Sequence, residues 1–417
     1  METVIAFGSV PKDGGTYTFY RNIRPALLQH GIDMRCVAIG KAQAALWEEE
    51  YADAGCVLLA PSARNIKKQA MAFAEWCELE GVDIVMGINS EAILSSLPHL
   101  PEKIRVLSRC ANAFDHGYRI TMACAERLAA IVATTPRLER DLVDLYDADP
   151  SILHLISNGI SPEPFENAAA EPRGEEPILR LGFLGRLEHT QKGVFHLPKI
   201  VRELNRRNVN FQLRIVGKGK HRSIIEHEMK DEIARGQVEF LGAISPQQVP
   251  DFLAQTDIYV FTSHFEGCPN ALLEAIMAGS VPVSWLIEGI TDFIIEDGNS
   301  GFIHPVGDYA SFAHSVALLD KGRARLNLMS RAASKAGRER FTPQRAAVAY
   351  AKVFNEVMAV APPKWVPIPW RDFRGDPNFE HSWRDWVPVR VKRGLKRVIS
   401  LLLPGRNEMF LDDGNDW

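Results

Sequence analysis

Cysteine is scarce in this chain: six in 417 residues, at Cys36, Cys56, Cys77, Cys110, Cys124 and Cys268. No two form C-x-x-C and no spacing suits a metal. Neither a disulfide framework nor a zinc module is indicated, and reduced thiols in a cytosolic setting are expected. No apolar run reaches the eighteen or so residues of a membrane span. The opening "METVIAFGSV" has no basic segment followed by a long apolar stretch, so no secretion signal is expected. Neither sign of charge is in excess: 48 Lys and Arg against 52 Asp and Glu leave a net charge of −4. That balance offers nucleic acid no global attraction. The glycine turn after the first strand lacks the full G-x-G-x-x-G spacing, which argues against a dinucleotide-dependent oxidoreductase.

What is present is alternation. "TVIAFGS", "MRCVAIG", "GCVLLA", "VDIVMGI", "IRVLSRC", "AAIVATT" and "ILHLIS" read as buried strands. Amphipathic helical stretches such as Tyr17–Gln29 and Ile66–Glu80 lie between several of them. The pattern restarts with "LRLGFLG", "FQLRIVG", "QVEFLGA", "DIYVFTS" and "VPVSWL". Continuous apolar strands alternating with helices predict α/β architecture, with parallel sheets covered on both faces. The break is Ser161–Pro177, rich in Pro, Ala and Glu, with the composition of an interdomain linker. Two doubly wound domains are expected, at 1–165 and 178–341, with a linker over 166–177.

The strand "DIYVFTSHF" runs into "EGCPNALLEAIMAGS", which places Glu266 and Glu274 on either side of a tight turn. In open α/β sheets ligands collect at the carboxyl ends of strands, where helix N-termini point. Asn270 is the predicted N-cap of a helix over Ala271–Ala278 that stops at Gly279. The amides of its first turn favour a phosphate, and each carboxylate can accept from a vicinal diol. A solvated turn residue and a favourable dipole charge would account for the same two glutamates. A second segment, "LGFLGRLEHTQKGVFHL", sets Arg186 and Lys192 over a helix entrance, a pattern suited to clamping a diphosphate. Gly14 and Gly15 separate the first strand from the first helix, where glycine permits close backbone approach.

These pieces together resemble the retaining family-4 glycosyltransferases over roughly Thr3–Met358. "EGCPNALLEA" matches their E-x7-E motif, "GRLEHTQKG" their Arg/Lys loop and Gly14–Gly15 their N-terminal glycine loop. "LRIVGKGK", "VEFLGAIS" and "IEDGNSGFIHPVGD" follow the family's order. The resemblance implies a GT-B fold, two Rossmann-like domains facing each other across a cleft, and a nucleotide-diphosphate sugar as donor. It implies that Glu274 binds the ribose and Glu266 the hydroxyls of the transferred sugar. The segment Gly267, Cys268, Pro269 and Asn270 is expected to hold sugar and phosphate through its backbone amides, Pro269 itself having no N–H to donate, with Gly15 contributing from the first domain. Leu241 and Ile244 would pass beside the base, and Arg186 and Lys192 would neutralise the leaving diphosphate. Transfer with retention, without a metal or other cofactor, to a saccharide or lipid-linked acceptor is the implied reaction. A nucleotide-sugar epimerase of similar fold and a non-catalytic sugar-nucleotide-binding protein are the alternatives.

Three departures from the family pattern bear on this. Lys218 stands where many relatives carry an acidic residue, and four residues separate "GRL" from "KG". Family members often carry a histidine just after the N-domain strand that precedes the active site. Here that strand leads into "RCANAFDHGY", where Asn112, Asp115 and His116 are candidates to contact the donor sugar and His116 is the choice. The alternative is that Asp115 and His116 only shape a turn before a helix at Tyr118. "DAD" at Asp147–Asp149 has an Asp-x-Asp metal pattern in a context of turn and cap chemistry. "ISNGIS" places Asn158 and Gly159 in a turn near the domain exit. A helix over 342–360 is expected to cross back to the first domain, followed by an extension over 361–417 rich in Trp and Pro and read as an ordered strap or partner surface. Within the extension, "RVKRGLKRVISLLLPG" combines basic residues with an apolar stripe from Arg390 to Leu402. Such a helix suits an anionic membrane surface or packs on the protein. The expected setting is cytoplasmic, peripheral at the inner face of the membrane, in bacterial surface-polysaccharide or glycolipid assembly.

Overall fold

The computed structural model describes residues 3–9, 11, 14–166 and 177–379. The stretch Arg390–Leu402 and the greater part of the linker lie outside the described residues. Two compact units divide the chain. The first comprises Met1–Ala133, Glu139–His154 and Tyr350–Trp417, and the second Thr134–Leu138 and Leu155–Ala349.

The first unit holds a seven-stranded sheet of β1 (Thr3–Gly8), β2 (Ile32–Ile39), β3 (Cys56–Leu59), β4 (Ile84–Gly87), β5 (Arg105–Cys110), β6 (Leu128–Ala133) and β7 (Leu153–Leu155), in the order 3-2-1-4-5-6-7. The second holds six: β8 (Leu179–Leu184), β9 (Phe211–Val216), β10 (Val238–Gly242), β11 (Ile258–Phe261), β12 (Val281–Trp285) and β13 (Phe302–His304), in the order 10-9-8-11-12-13. β1 pairs in parallel with β2 and β4, and β8 with β9 and β11. Every residue of β4, β5, β11 and β12 is buried, as strands covered on both faces require. In both sheets the strand order reverses beside the first strand of the unit. Those reversals, β1/β4 and β8/β11, are the positions where doubly wound sheets open a crevice.

Twelve of the thirteen strands coincide with the apolar runs read from sequence. β13 is the exception, three residues long and too short to show a period. The helices predicted at Tyr17–Gln29 and Ile66–Glu80 form at Gly15–Leu28 and Ile66–Leu79. The boundary expected at residue 165 moves to Leu155, for a physical reason. Ile160 N–H donates to Phe341 O at 2.8 Å, and a Cβ on Gly159 would meet the backbone N of Pro343 at 2.4 Å. The segment is therefore locked to the second unit.

Helix Pro343–Ala359 passes between the units in sequence. Near its middle Tyr350 packs against Phe19, with ring centroids 5.6 Å apart, and accepts from Arg109 Nε at 3.0 Å. Residues 361–379 then run as an ordered strap on the first unit. Trp365 Nε1 donates to Pro98 O at 3.2 Å, and His99 stacks on Trp370 at 4.2 Å. Among the described residues no helix is long and apolar enough to cross a membrane.

Candidate functional site

The chain leaves β8 at Gly185 and β11 at Thr262, adjacent strands at the reversal point of the second sheet. Leu187, fully buried, anchors the first loop, while Arg186 on its outer side is exposed. Glu188 caps the one-turn helix His189–Lys192, accepting from Thr190 N at 2.7 Å and Gln191 N at 2.9 Å. The turn ends at Gly193 with φ 62°, where a Cβ would lie 1.9 Å from the carbonyl oxygen of Thr262. The two loops thus touch backbone to backbone, and only glycine admits that approach.

This contact brings Lys192 to Glu266. Lys192 Nζ lies 2.6 Å from Glu266 Oε1, Ser263 Oγ donates to the same oxygen at 2.7 Å, and Gln191 Nε2 donates to Oε2 at 3.2 Å. Glu266 is only 5% exposed, so the ion pair replaces most of the water it would otherwise bind. Arg186 Nη2 donates to Gln191 Oε1, which makes a line Arg186–Gln191–Glu266–Lys192. Tyr259, wholly buried below, donates to Leu184 O at 3.0 Å. Its phenol is pushed far above the ordinary value, by burial first and then by the negative charges of Glu274 and Glu266. Both carboxylates therefore bear on one side chain beneath the β8/β11 seam.

The helix after the turn spans Asn270–Met277, with Pro269 in the capping position. Asn270 is not the N-cap: it is the first helical residue, and its Oδ1 accepts from Asn158 Nδ2 at 2.6 Å. Proline at 269, with φ −75°, sets the helix start one residue early. Asn158 Nδ2 also lies 3.4 Å from Cys268 O, and Thr135 Oγ1 donates to Gly267 O at 3.1 Å. The turn carrying Gly267–Asn270 is thus held by two residues more than a hundred positions upstream. Reading Asn158 as a turn residue missed this, and nothing local in "SNG" signals a long-range partner. Gly279, with φ 75°, lies where the helix was expected to stop.

A third loop completes the edge. A Cβ on Gly217 would stand 1.8 Å from Gly185 O, Leu187 N–H donates to Lys218 O at 2.8 Å, and Gly217 N–H donates to Gly242 O at 2.7 Å. That last bond sets the end of β10 beside the loop, with Leu241 39% exposed and Ile244 half-buried. Lys218 is exposed.

Gly15 and His116 belong to the first unit. Gly15 opens helix Gly15–Leu28 after β1, and His116 lies in the first turn of helix Asp115–Thr121 after β5, half-buried. The ring of Phe379, at the end of the strap, meets His116 edge-on at 5.5 Å. Asp115 is engaged by Arg119 and by Tyr146 Oη, each at 2.9 Å. Asp149 accepts from Ser151 N at 2.8 Å, and that backbone bond holds its carboxyl below the ordinary range. Asp147 and Asp149 are exposed turn and cap residues, as their context indicated.

Sequence reasoning also passed over a group of histidines behind the Lys192 loop. His196 Nε2 lies 2.7 Å from His264 Nε2, and His189 packs edge-on to His264 with centroids 5.0 Å apart. Burial, then the charges of His264, His189 and Lys199, push His196 from 6.5 down to about 4. Between those values the unfolded chain binds a proton that the folded chain does not, so stability falls as pH drops from 6.5 toward 4. The expected contribution of this group is about 3 kcal/mol, from the shift at roughly 1.4 kcal/mol per unit. Denaturant titrations across that window should show His196→Gln with a flatter profile than the parent. Parallel profiles would remove His196 as the source.

Residues 166–340 match the family of glycosyl transferases, group 1. The group 1 match contains Arg186, Lys192, Glu266 and Glu274. The chain is 25% identical over 200 residues to 2-deoxystreptamine glucosyltransferase of Streptomyces kanamyceticus, covering 46% of this chain and 51% of that protein. It is 26% identical over 227 residues to glycogen synthase of Mycobacterium tuberculosis, covering 54% of this chain and 53% of the relative. The chain spans about half the length of these curated relatives. Among solved structures it resembles HepE of Anabaena in complex with UDP, with TM-score 0.68 and 15% identity over 85% of this chain and 100% of that one. A glycosyltransferase from Rickettsia africae gives TM-score 0.69 and 13% identity over 86% and 99%. With two parallel α/β sheets, these likenesses make the fold GT-B.

Proposed function

We propose that this protein is a retaining glycosyltransferase that moves a sugar from a nucleoside-diphosphate donor to a saccharide or glycolipid acceptor. The observation that carries the reading is the line Arg186–Gln191–Glu266–Lys192 at the β8/β11 reversal, inside the group 1 match. Lys192 uses one N–H on Glu266, which leaves the ammonium two for a phosphate oxygen. Arg186, exposed beside it, presents its fork to the same group. Negative charge grows on the diphosphate as the bond from the anomeric carbon to its oxygen breaks. Fixed cations and the first turn of helix Asn270–Met277 lower the cost of that charge. The acceptor hydroxyl forms the new bond on the same face, and its proton passes to the departing phosphate oxygen. Glu266 then orients sugar hydroxyls and Glu274 the ribose, with Leu241 and Ile244 beside the base. The family resemblance also offers Gly15 and His116 as candidates for contact with a donor sugar.

Binding of UDP and UDP-sugars by calorimetry, with slow donor hydrolysis followed by NMR, tests this. In a folded Arg186→Ala variant, affinity for UDP should drop by about 1.5–3 kcal/mol, the scale of a hydrogen bond to a charged group. Unchanged affinity would take Arg186 out of the site. Donor conversion without any acceptor would favour an epimerase, and binding without turnover on any acceptor a sensor.

The charge stabilisation described needs no metal, so transfer is expected to survive EDTA. Complete loss restored by Mn²⁺ would overturn that part of the scheme. A role in bacterial surface-polysaccharide or glycolipid assembly, at the cytoplasmic face of the membrane, agrees with the basic, apolar-striped sequence Arg390–Leu402. Sedimentation with anionic vesicles checks it: binding should rise with anionic lipid and fall with salt.

A further inference from the structure

Three consecutive carbonyls of the Lys192 turn are each bonded by the segment that leads to Glu266. Thr190 O faces His264 Nδ1 at 3.0 Å, Gln191 O accepts from His264 N–H at 2.7 Å, and Lys192 O accepts from Thr262 Oγ1 at 2.8 Å. His264 supplies two of the three. Its ring bond has a chemical condition: a carbonyl only accepts, so His264 must carry its proton on Nδ1. A neutral ring then has a bare Nε2, and that atom lies 2.7 Å from His196 Nε2. His196 must therefore carry its proton on Nε2 and accept at Nδ1, where Tyr309 Oη stands at 2.7 Å. With both rings neutral the chain has one direction, from Tyr309 through His196 and His264 to Thr190 O.

We propose that His264, His196 and Tyr309 are positioning residues: their directed hydrogen bonds hold the 190–192 turn so that Lys192 and Gln191 stay on Glu266. The surroundings suit a neutral chain. His189 faces both rings, at 5.0 and 5.6 Å between centroids, and Trp285 lies edge-on to His196 at 5.5 Å. Lys199 stands over the Tyr309 ring at 5.4 Å, a fixed positive charge that disfavours another on His196. None of the three residues falls within the E-x7-E or Arg/Lys patterns. Their role was invisible in sequence because the chain they form spans 190 to 309.

The consequence for nucleotide binding rests on the reading of the site given above, whereas the direction of the chain does not. Long-range ¹H–¹⁵N spectra of the full chain read the tautomers directly. His264 should be the Nδ1–H form and His196 the Nε2–H form. Tyr309→Phe removes one hydroxyl on the far side of His196. It should put both rings into exchange between tautomers and weaken UDP binding about fivefold, the scale of one net hydrogen bond. His264→Ala, at a half-buried position, should weaken UDP binding at least as much. An Nε2–H tautomer at His264 in the parent overturns the proposal. So does a Tyr309→Phe variant with parental tautomers and parental affinity, or one whose tautomers change while UDP affinity does not. If the parent shows the expected tautomers and binds no UDP, the directed chain is supported and the donor-site reading fails.

Discussion

Lys192→Met should destabilise the second unit by about 3 kcal/mol and abolish measurable UDP binding. The stability loss follows from what remains. Glu266, 5% exposed, would keep Ser263 Oγ and Gln191 Nε2 but lose the cation at 2.6 Å. Removing one partner of a buried pair typically costs 3–5 kcal/mol, because the other charge is left uncompensated. The two surviving hydrogen bonds place this case at the low end. The double variant Lys192→Met/Glu266→Gln removes the orphan charge and should recover more than half of the loss, while UDP binding stays absent. Urea unfolding and calorimetry read the two effects separately. A single variant within about 0.5 kcal/mol of the parent, the range of ordinary surface substitutions, would show that the pair is solvated in solution.

Gly217→Ala is the second large effect, about 3–5 kcal/mol of destabilisation. Its φ of 145° is one that L side chains rarely adopt, and the added Cβ would lie 1.8 Å from the backbone oxygen of Gly185. A flexible side chain could move aside; a carbonyl at the end of β8 moves only with the strand. Backbone strain of about 1–3 kcal/mol and overpacking of similar size therefore act together. Gly236→Ala is the control. Its φ of 70° is also left-handed, but nothing lies within 4 Å of the new Cβ, so the cost should stay near 1–2 kcal/mol. Equal losses at the two positions would mean that loop contact plays no part.

The fold was legible where burial leaves a continuous mark. β4 and β11 are apolar throughout because both their faces are covered, and the runs "IVMG" and "IYVF" announce them. β5 and β12 are equally buried but carry Arg105, Ser108, Arg109 and Ser284 among their apolar residues. Lys192 and Glu266 were legible as types in the right loops, since the residues that follow β8 and β11 must meet at the reversal. The ion pair between them was not, because it depends on Gly193 approaching Thr262 across 68 intervening positions. Asn270 was misplaced by one residue, as Pro269 and Asn270 compete for the same capping role and proline's fixed φ prevails. Asn158, Thr135 and the histidine chain left no periodic or local trace. They act through isolated bonds to distant partners, and such long-range bonds do not pattern a sequence.

That each unit is assembled from separate stretches of chain has a practical result for anyone recombining this protein with a relative. A splice at the linker would transfer residues 178–341 as though they were self-sufficient. The grafted half would arrive without Thr135 and Asn158, which hold the carbonyls of Gly267 and Cys268 and the side chain of Asn270. It would also lack Ile160, whose amide ties to Phe341. A chimera that exchanges the second unit must therefore carry three pieces of chain, Thr134–Leu138, Leu155–Phe165 and the body from Pro177. A hybrid cut at the linker alone would keep its E-x7-E motif intact in sequence and lose the brace behind it.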